Sequence, residues 1–282
     1  MSLLSLPRPA LLVSVRSPVE AAAALAGGAD VVDIKEPAAG SLGAASPQVC
    51  REVALVVGDQ APWTMACGEL ADGVQRLDAH LAATWERLGE DGSRGCRLPW
   101  AIKVGLAGCS LAGCSHSVPW RDQLAAVGSR LPAGVGQVLV IYADAEGCQA
   151  PPAAEVLAAA AELGAAAVLV DTFSKQSAGL LGHTTVSQLR EWREAAATAG
   201  CGFAVAGKLQ LEEFPALSPV DADIIAVRSA VCSHGRTGPV EPLLVQRARQ
   251  GLVGSPQGRG PSEGETPGNT GAQKTGTLEK RS

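Results

Sequence analysis

The chain has 282 residues, 46% of them hydrophobic, and a net charge of −5 from 28 acidic and 23 basic side chains, which suits one large α/β domain or two small ones and argues against a nucleic-acid-binding surface. Aromatic residues make up only 3%, so stacking platforms for single strands or sugars are scarce. No apolar run reaches the roughly 20 residues that a membrane span needs, and the opening MSLLSLPRPALLVSV lacks a basic n-region and a clear cleavage site.

From Ala10 onward, short apolar runs alternate with alanine-rich amphipathic stretches. The runs predict strands at 10–16, 31–35, 62–67, 99–106, 136–143, 166–171, 202–206 and 223–228. The stretches predict helices at 18–27, 47–57, 71–88, 121–130, 153–163, 185–199, 210–217 and 241–251. Ser17-Pro18 and Ser46-Pro47 put a capping hydroxyl before a proline at the first helical position. Gly27-Gly28 and Gly200 mark helix ends. Continuously apolar strands, each followed by a helix, imply a parallel sheet covered by helices. Eight such units match a closed (β/α)₈ TIM barrel over residues 1–252. An open doubly wound sheet is the alternative, weakened because no G-x-G-x-x-G follows the first strand. Residues 89–97 form a polar, glycine-rich surface loop on this reading. Residues 253–282, rich in Gly, Pro, Ser and Thr, are expected to be a disordered tail.

Eight cysteines scattered without a secretory signal imply a reduced, cytoplasmic chain. Cys109, Cys114 and His116 lie close together, but their spacing fits no common zinc pattern. Small-residue packing in a loop accounts for them, and no metal is expected. The four histidines are dispersed and form no H-x-H or H-E-x-x-H pattern.

Three apolar runs end in or contain lysine: Val31-Val32-Asp33-Ile34-Lys35, Ala101-Ile102-Lys103-Val104, and Val168 through Lys175 with Asp171 inside it. An unpaired charge in an apolar interior is costly, so these lysines need partners or a pocket. A barrel places its active site at the C-terminal ends of its strands. The polar residues predicted there are Asp33, Lys35, Lys103, Tyr142, Asp144, Asp171, Lys175, Lys208 and Arg228. A single Asp-x-Lys is most often a surface ion pair. Three such sites on even strands are better explained by convergence, because inward residues of alternate strands share layers. Clustered ammonium groups repel, so at least one lysine should have a lowered pKa. A neutral amine forms Schiff bases with carbonyl substrates, and neighbouring aspartates can carry protons. The spacing does not choose which lysine is neutral, since coupled groups titrate together. Tyr142 and Asp144 fit a substrate-lining role and a strand-end cap equally well. Glycine-rich Gly40–Ala44, including Ser41 and Gly43, together with Gly207-Lys208 and Arg228-Ser229 after strands 7 and 8, lie where barrels bind phosphate.

The motifs V-D-I-K-E-P-x-x-G-S-L-G-A at 32–44, I-K-V-G-L at 102–106, Y-A-D at 142–144, D-T-F-S-K at 171–175, A-V-A-G at 204–207 and V-R-S-A-V-C at 227–232 come in this order. Over about residues 10–250 the chain resembles the (5-formylfuran-3-yl)methyl phosphate synthase family of methanofuran biosynthesis. The resemblance implies a (β/α)₈ barrel lyase that condenses two glyceraldehyde 3-phosphate molecules, with loss of phosphate and water. It implies a Schiff-base lysine at Lys35, with Asp33, Lys103, Asp171 and Lys175 in supporting acid/base roles. The triose phosphate is the expected partner, with no metal or organic cofactor, no nucleic acid and no membrane; a homo-oligomer stays open. Lys208 after Ala206-Gly207 and Ala107 after Gly105-Leu106 depart from the family pattern, and residues 65–69 match it loosely. A class I aldolase acting on another sugar phosphate and a non-catalytic phosphate-binding barrel are the competing functions.

Overall fold

Strands apolar on both faces are stable only when both faces are covered. In the computed structural model, which describes residues 6–89, 96–110, 119–176 and 178–253, eight parallel strands solve this by closing on themselves. They are β1 (Ala10–Val15), β2 (Val31–Ile34), β3 (Trp63–Glu69), β4 (Ala101–Gly105), β5 (Gly136–Tyr142), β6 (Ala167–Asp171), β7 (Gly202–Val205) and β8 (Ile224–Val227). The helices between and after them are α1 (Pro18–Ala26), α2 (Pro47–Val57), α3 (Val74–Gly89), α4 (Trp120–Gly128), α5 (Ala153–Leu163), α6 (Val186–Thr198), α7 (Phe214–Leu217) and α8 (Pro242–Val253). β8 pairs with β1 from Ala10↔Ile224 to Val13↔Val227, so the sheet is a barrel and not the open alternative.

Strand side chains alternate between two faces. Outward residues such as Val13, Ile34, Met65, Ile102, Val168 and Phe203 pack under the helices. Inward residues form a second cluster that includes Leu12, Val31, Ala66, Ala101, Val140, Leu169, Ala204 and Ala226. The larger members fill the barrel interior, with alanines packed between them. One step of two residues beyond Val31, Ala101 and Leu169 stand Asp33, Lys103 and Asp171. The same period that fills the core therefore aims these side chains into the barrel.

Ser17 and Ser46 cap α1 and α2 by accepting from Glu20 N and Val49 N, each at 3.3 Å. Gly28 and Gly200 adopt positive φ just beyond α1 and α6, as a chain leaving a helix there requires. Two predicted helices differ. The 71–88 helix begins at Val74, because Gly73 (φ 107°) breaks the chain after a 3₁₀ turn at Leu70–Asp72. The 210–217 helix splits into a 3₁₀ turn at Leu211–Glu213 and the single-turn α7, where Pro215 supplies no N–H donor. β3 runs two residues further than predicted and carries a register irregularity between Ala66 and Glu69.

Residues 90–95 of the expected surface loop, Cys114 and His116 of the weighed cluster, and the tail from 254 lie outside the described residues. Among the described residues no group of three His, Cys, Asp or Glu side chains could hold a metal. No helix there is long and apolar enough to cross a membrane.

Candidate active site

Asp33 and Lys35 from the end of β2, Lys103 from β4, and Asp171 and Lys175 from β6 and its loop line one cavity at the C-terminal mouth of the barrel. Asp33, Lys35, Lys103 and Asp171 are buried. Lys103 Nζ stands 2.5 Å from Asp33 Oδ1. Asp33 also accepts from Thr64 Oγ1 at 2.8 Å and from Ser14 Oγ at 2.9 Å. Lys175 Nζ stands 2.9 Å from Asp171 Oδ1. Asp171 further accepts from Thr172 N at 2.7 Å and Ser41 Oγ at 3.3 Å.

Three lysines thus face two aspartates, and each aspartate has taken one lysine. Lys35 is left over: among the described residues its ammonium has no ion-pair or hydrogen-bond partner. Burial pulls its pKa down, and the Lys175 and Lys103 charges add to this. Asp171 and Asp33 oppose it, and the balance leaves Lys35 at about 8 against an ordinary 10.5. Burial would raise the Asp171 carboxyl, but Lys175, Lys35 and two hydrogen bonds outweigh it and hold Asp171 below the usual carboxylate range. The site therefore offers one amine that is partly neutral near physiological pH. Beside it stand two lysine–carboxylate pairs able to give and take protons.

The predicted phosphate residues separate into two groups. Gly207, Lys208 and Ser229 line the same cavity as the lysines. Gly207 (φ 100°) and Lys208 (φ 56°) both hold left-handed backbone, and a Cβ on Gly207 would meet Thr172 Cγ2 at 3.1 Å. Arg228 reaches the cavity wall, but its side chain is a structural tie. It pairs with Glu20 of α1 at 2.8 and 3.3 Å and donates to Ser14 O, Arg236 O and Gly238 O. All five guanidinium N–H donors are in use, so none is left for a phosphate. Ser41 is also turned away from phosphate duty: it is buried and donates to Asp171 and to Thr172 O at 3.0 Å. Gly43 lies outside the lysine cavity, in a neighbouring hollow beside Glu69, Arg76 and Phe173. Its carbonyl accepts from Glu36 N at 2.8 Å, and a Cβ there would sit 2.3 Å from Glu36 O. Its glycine closes the loop on itself.

Tyr142 and Asp144 prove to be braces. Tyr142 Oη donates to Glu69 Oε1 at 2.6 Å, and its ring meets Phe173 edge-on at 5.5 Å. Asp144 accepts from Phe173 N at 2.7 Å and Ser174 N at 2.8 Å, which fixes the loop that carries Lys175. Sequence reasoning missed Glu20, Glu69 and Arg236. Glu20 looks like an ordinary first-turn acid, and only the closed barrel brings it beside Arg228. Glu69 ends β3, a strand whose bulge the sequence hides, although the adjacent Gly68 was a usable signal. Arg236 sits in a loop with no period at all.

The sequence pattern of the 4-HFC-P synthase family matches residues 11–249. The chain belongs to this family. Among family relatives, the (5-formylfuran-3-yl)methyl phosphate synthase of Methanosarcina mazei is 31% identical over 246 residues, covering 84% of this chain and 96% of that one. The synthase of the same name from Methanococcus maripaludis is 33% identical over 242 residues, with the same coverage of 84% and 96%. Among solved structures, phosphoribosyl anthranilate isomerase from Thermotoga maritima superposes with a TM-score of 0.58 at 13% identity, covering 87% of this chain and 98% of that one. That likeness is one of fold. The eight charged residues that line the cavity, from Asp33 to Arg236, all fall within the span matched to the family.

Proposed function

We propose that the chain condenses two glyceraldehyde 3-phosphate molecules into (5-formylfuran-3-yl)methyl phosphate through a Schiff base on Lys35. The observation that carries the reading is the unequal count around the two aspartates: Lys103 and Lys175 are paired, and Lys35 is buried, unpaired and lowered to about 8. Family membership supports the product.

On this reading the neutral Lys35 amine adds to the aldehyde carbon of one triose, and loss of water leaves an iminium. The iminium acidifies the adjacent C–H, which a carboxylate of the cavity removes to give an enamine. The enamine carbon attacks the aldehyde of the second triose, forming the carbon–carbon bond. The Lys103–Asp33 and Lys175–Asp171 pairs supply protons to departing oxygens and recover them from carbon. Two trioses bring six carbons and two phosphoryl groups. The furan keeps six carbons and one phosphoryl group, so one phosphate and two waters leave in net. The water lost in forming the iminium returns when hydrolysis frees Lys35.

The test is incubation with glyceraldehyde 3-phosphate alone. Furan absorbance growing in step with one released phosphate per product supports the proposal. An aldol product without a furan would assign a class I aldolase instead, and no reaction would leave a phosphate-binding barrel.

A further inference from the structure

Two arginines border the cavity, and their bonding states are opposite. Arg228 has every donor engaged, as described above. Arg236, from the loop between β8 and α8, lines the same cavity but makes one hydrogen bond among the described residues, to the carbonyl oxygen of Gly40. A guanidinium carries five N–H donors, so four of its donors remain open.

The loop that carries Arg236 is held, not loose. Cys232 and Val240 form an antiparallel bridge across its base, and Ser233 N donates to Pro239 O at 3.1 Å. Gly238 N donates to Gly235 O at 3.0 Å. Arg228 grips the loop twice from below, at Arg236 O (2.7 Å) and Gly238 O (3.4 Å). The buried Arg228–Glu20 pair thus fixes the backbone of the residue whose side chain reaches into the mouth. Arg236 is half-buried there; burial draws its pKa down, yet a guanidinium stays charged. Lys35, Lys103, Lys175 and Arg236 face the cavity against Asp33 and Asp171, and Arg228 is already neutralised by Glu20. Cationic charge is in excess in this cavity, which Gly207 and Ser229 also line.

We propose that Arg236 binds the phosphoryl group of one triose phosphate at the barrel mouth, and that Arg228 acts as the positioning residue for its loop. The triose in this statement rests on the function proposed above; the phosphoryl recognition rests on the arginine itself. The planar fork of a guanidinium matches two phosphoryl oxygens at once. The Gly40 carbonyl is a neutral acceptor that such an oxyanion replaces.

The experiment compares the full chain with Arg236→Gln and Arg236→Lys by two measurements. One is calorimetric titration with inorganic phosphate. The other is borohydride trapping of the lysine adduct with glyceraldehyde 3-phosphate and, separately, with unphosphorylated glyceraldehyde. Arg236→Gln is expected to raise the half-saturating concentration of phosphate and of the triose phosphate about 10- to 100-fold, the worth of hydrogen bonds to a charged group. Trapping of glyceraldehyde stays as in the wild type, and Arg236→Lys recovers part of the loss because charge remains without the fork. Unchanged phosphate and triose phosphate dependence in Arg236→Gln overturns the proposal. So does an equal loss with glyceraldehyde, which would mark a collapsed mouth, and so does a wild type that does not bind phosphate. If the wild type traps no adduct but loses phosphate binding on Arg236→Gln, the Schiff-base reading fails and the assignment of Arg236 stands.

Discussion

At the scale of single residues, the main question is what makes one lysine different from its two neighbours. Lys35 and Lys103 stand on adjacent even strands with similar burial, and the difference is that Lys103 has Asp33 at 2.5 Å. With a pKa of about 8, Lys35 is neutral in about a tenth of molecules at pH 7. That is roughly three-hundredfold more free amine than an ordinary lysine offers. Adduct formation should therefore rise with pH and level off above about 8, and Lys35→Arg should abolish it. Borohydride trapping followed by peptide mass mapping checks both. A label on Lys103 or Lys175 would move the nucleophile, and an adduct rate flat from pH 6 to 9 would reject the lowered pKa. The same shift carries a stability cost. Folding binds fewer protons than the unfolded chain between the folded pKa of about 8 and the ordinary 10.5, so the penalty is full below 8 and fades as pH rises through that window. Lys35→Met should accordingly stabilise the fold by about 3 kcal/mol at pH 7, and by less at pH 10. Denaturant titration at the two pH values measures it, and a destabilised variant would contradict the argument. The sequence could place all three lysines at strand ends, because period two is a local property. It could not rank them, because ranking depends on which carboxylate lies within 3 Å across the barrel.

At the scale of elements, two contacts between neighbouring units carry the architecture of the mouth. The first lies between β3 and β4. An added Cβ at Gly105 would lie 2.0 Å from Glu69 Oε2. That carboxylate accepts from Tyr142 Oη at 2.6 Å and from Ala107 N at 3.0 Å. Burial raises the Glu69 pKa, while these two bonds pull the other way. Gly105→Ala should push Glu69 out and leave buried donors unmet, at about 2–4 kcal/mol. Thermal unfolding checks this, and a change below 0.5 kcal/mol would show that Glu69 repacks freely. The second contact joins α1 to the β8–α8 loop through Glu20 and Arg228. Removing either partner alone strands a buried charge at about 3–5 kcal/mol. The Glu20→Ala, Arg228→Ala double variant should lose clearly less than the sum of the singles. An additive result would mean that the pair is not coupled. The eight strands and most helices were legible from local pattern and caps. The split at Pro215 and the late start at Val74 were not, because a proline in a short turn and a glycine at φ 107° act on geometry more than on hydrophobic period. Arg228 was legible as a charged residue at a strand end, but its Glu20 partner sits 208 residues away in sequence, so its structural use was not.

At the scale of the whole molecule, the closing of the barrel decides how far the folded unit must at least extend. β8 meets β1, and α8 covers that seam: Val245, Ala248 and Leu252 are buried in the helix-facing core. The approach is close, since a Cβ on Gly27 at the end of α1 would lie 2.5 Å from Val245 Cβ. Arg249 Nε adds a tie to Asp30 Oδ2 at 3.3 Å, and Asp30 in turn accepts from Leu11 N at 2.8 Å in β1. The last described helix is therefore part of the core, although it follows β8. The family match ends at residue 249, within this helix. For these reasons we propose the domain boundary at the end of α8, at Val253, one residue beyond the expected division at 252/253. A chain ending at Val253 keeps every described contact of the barrel and should unfold within about 2 °C of the 282-residue chain. It should form the furan product at the same rate. A chain ending at Glu241 loses α8, uncovers the β8–β1 seam and removes the Arg249 tie; it should not accumulate as a folded protein. Paired thermal scans and product assays on the two truncations decide the matter. A loss of more than about 5 °C, or of activity, in the longer one would extend the working unit into residues 254–282.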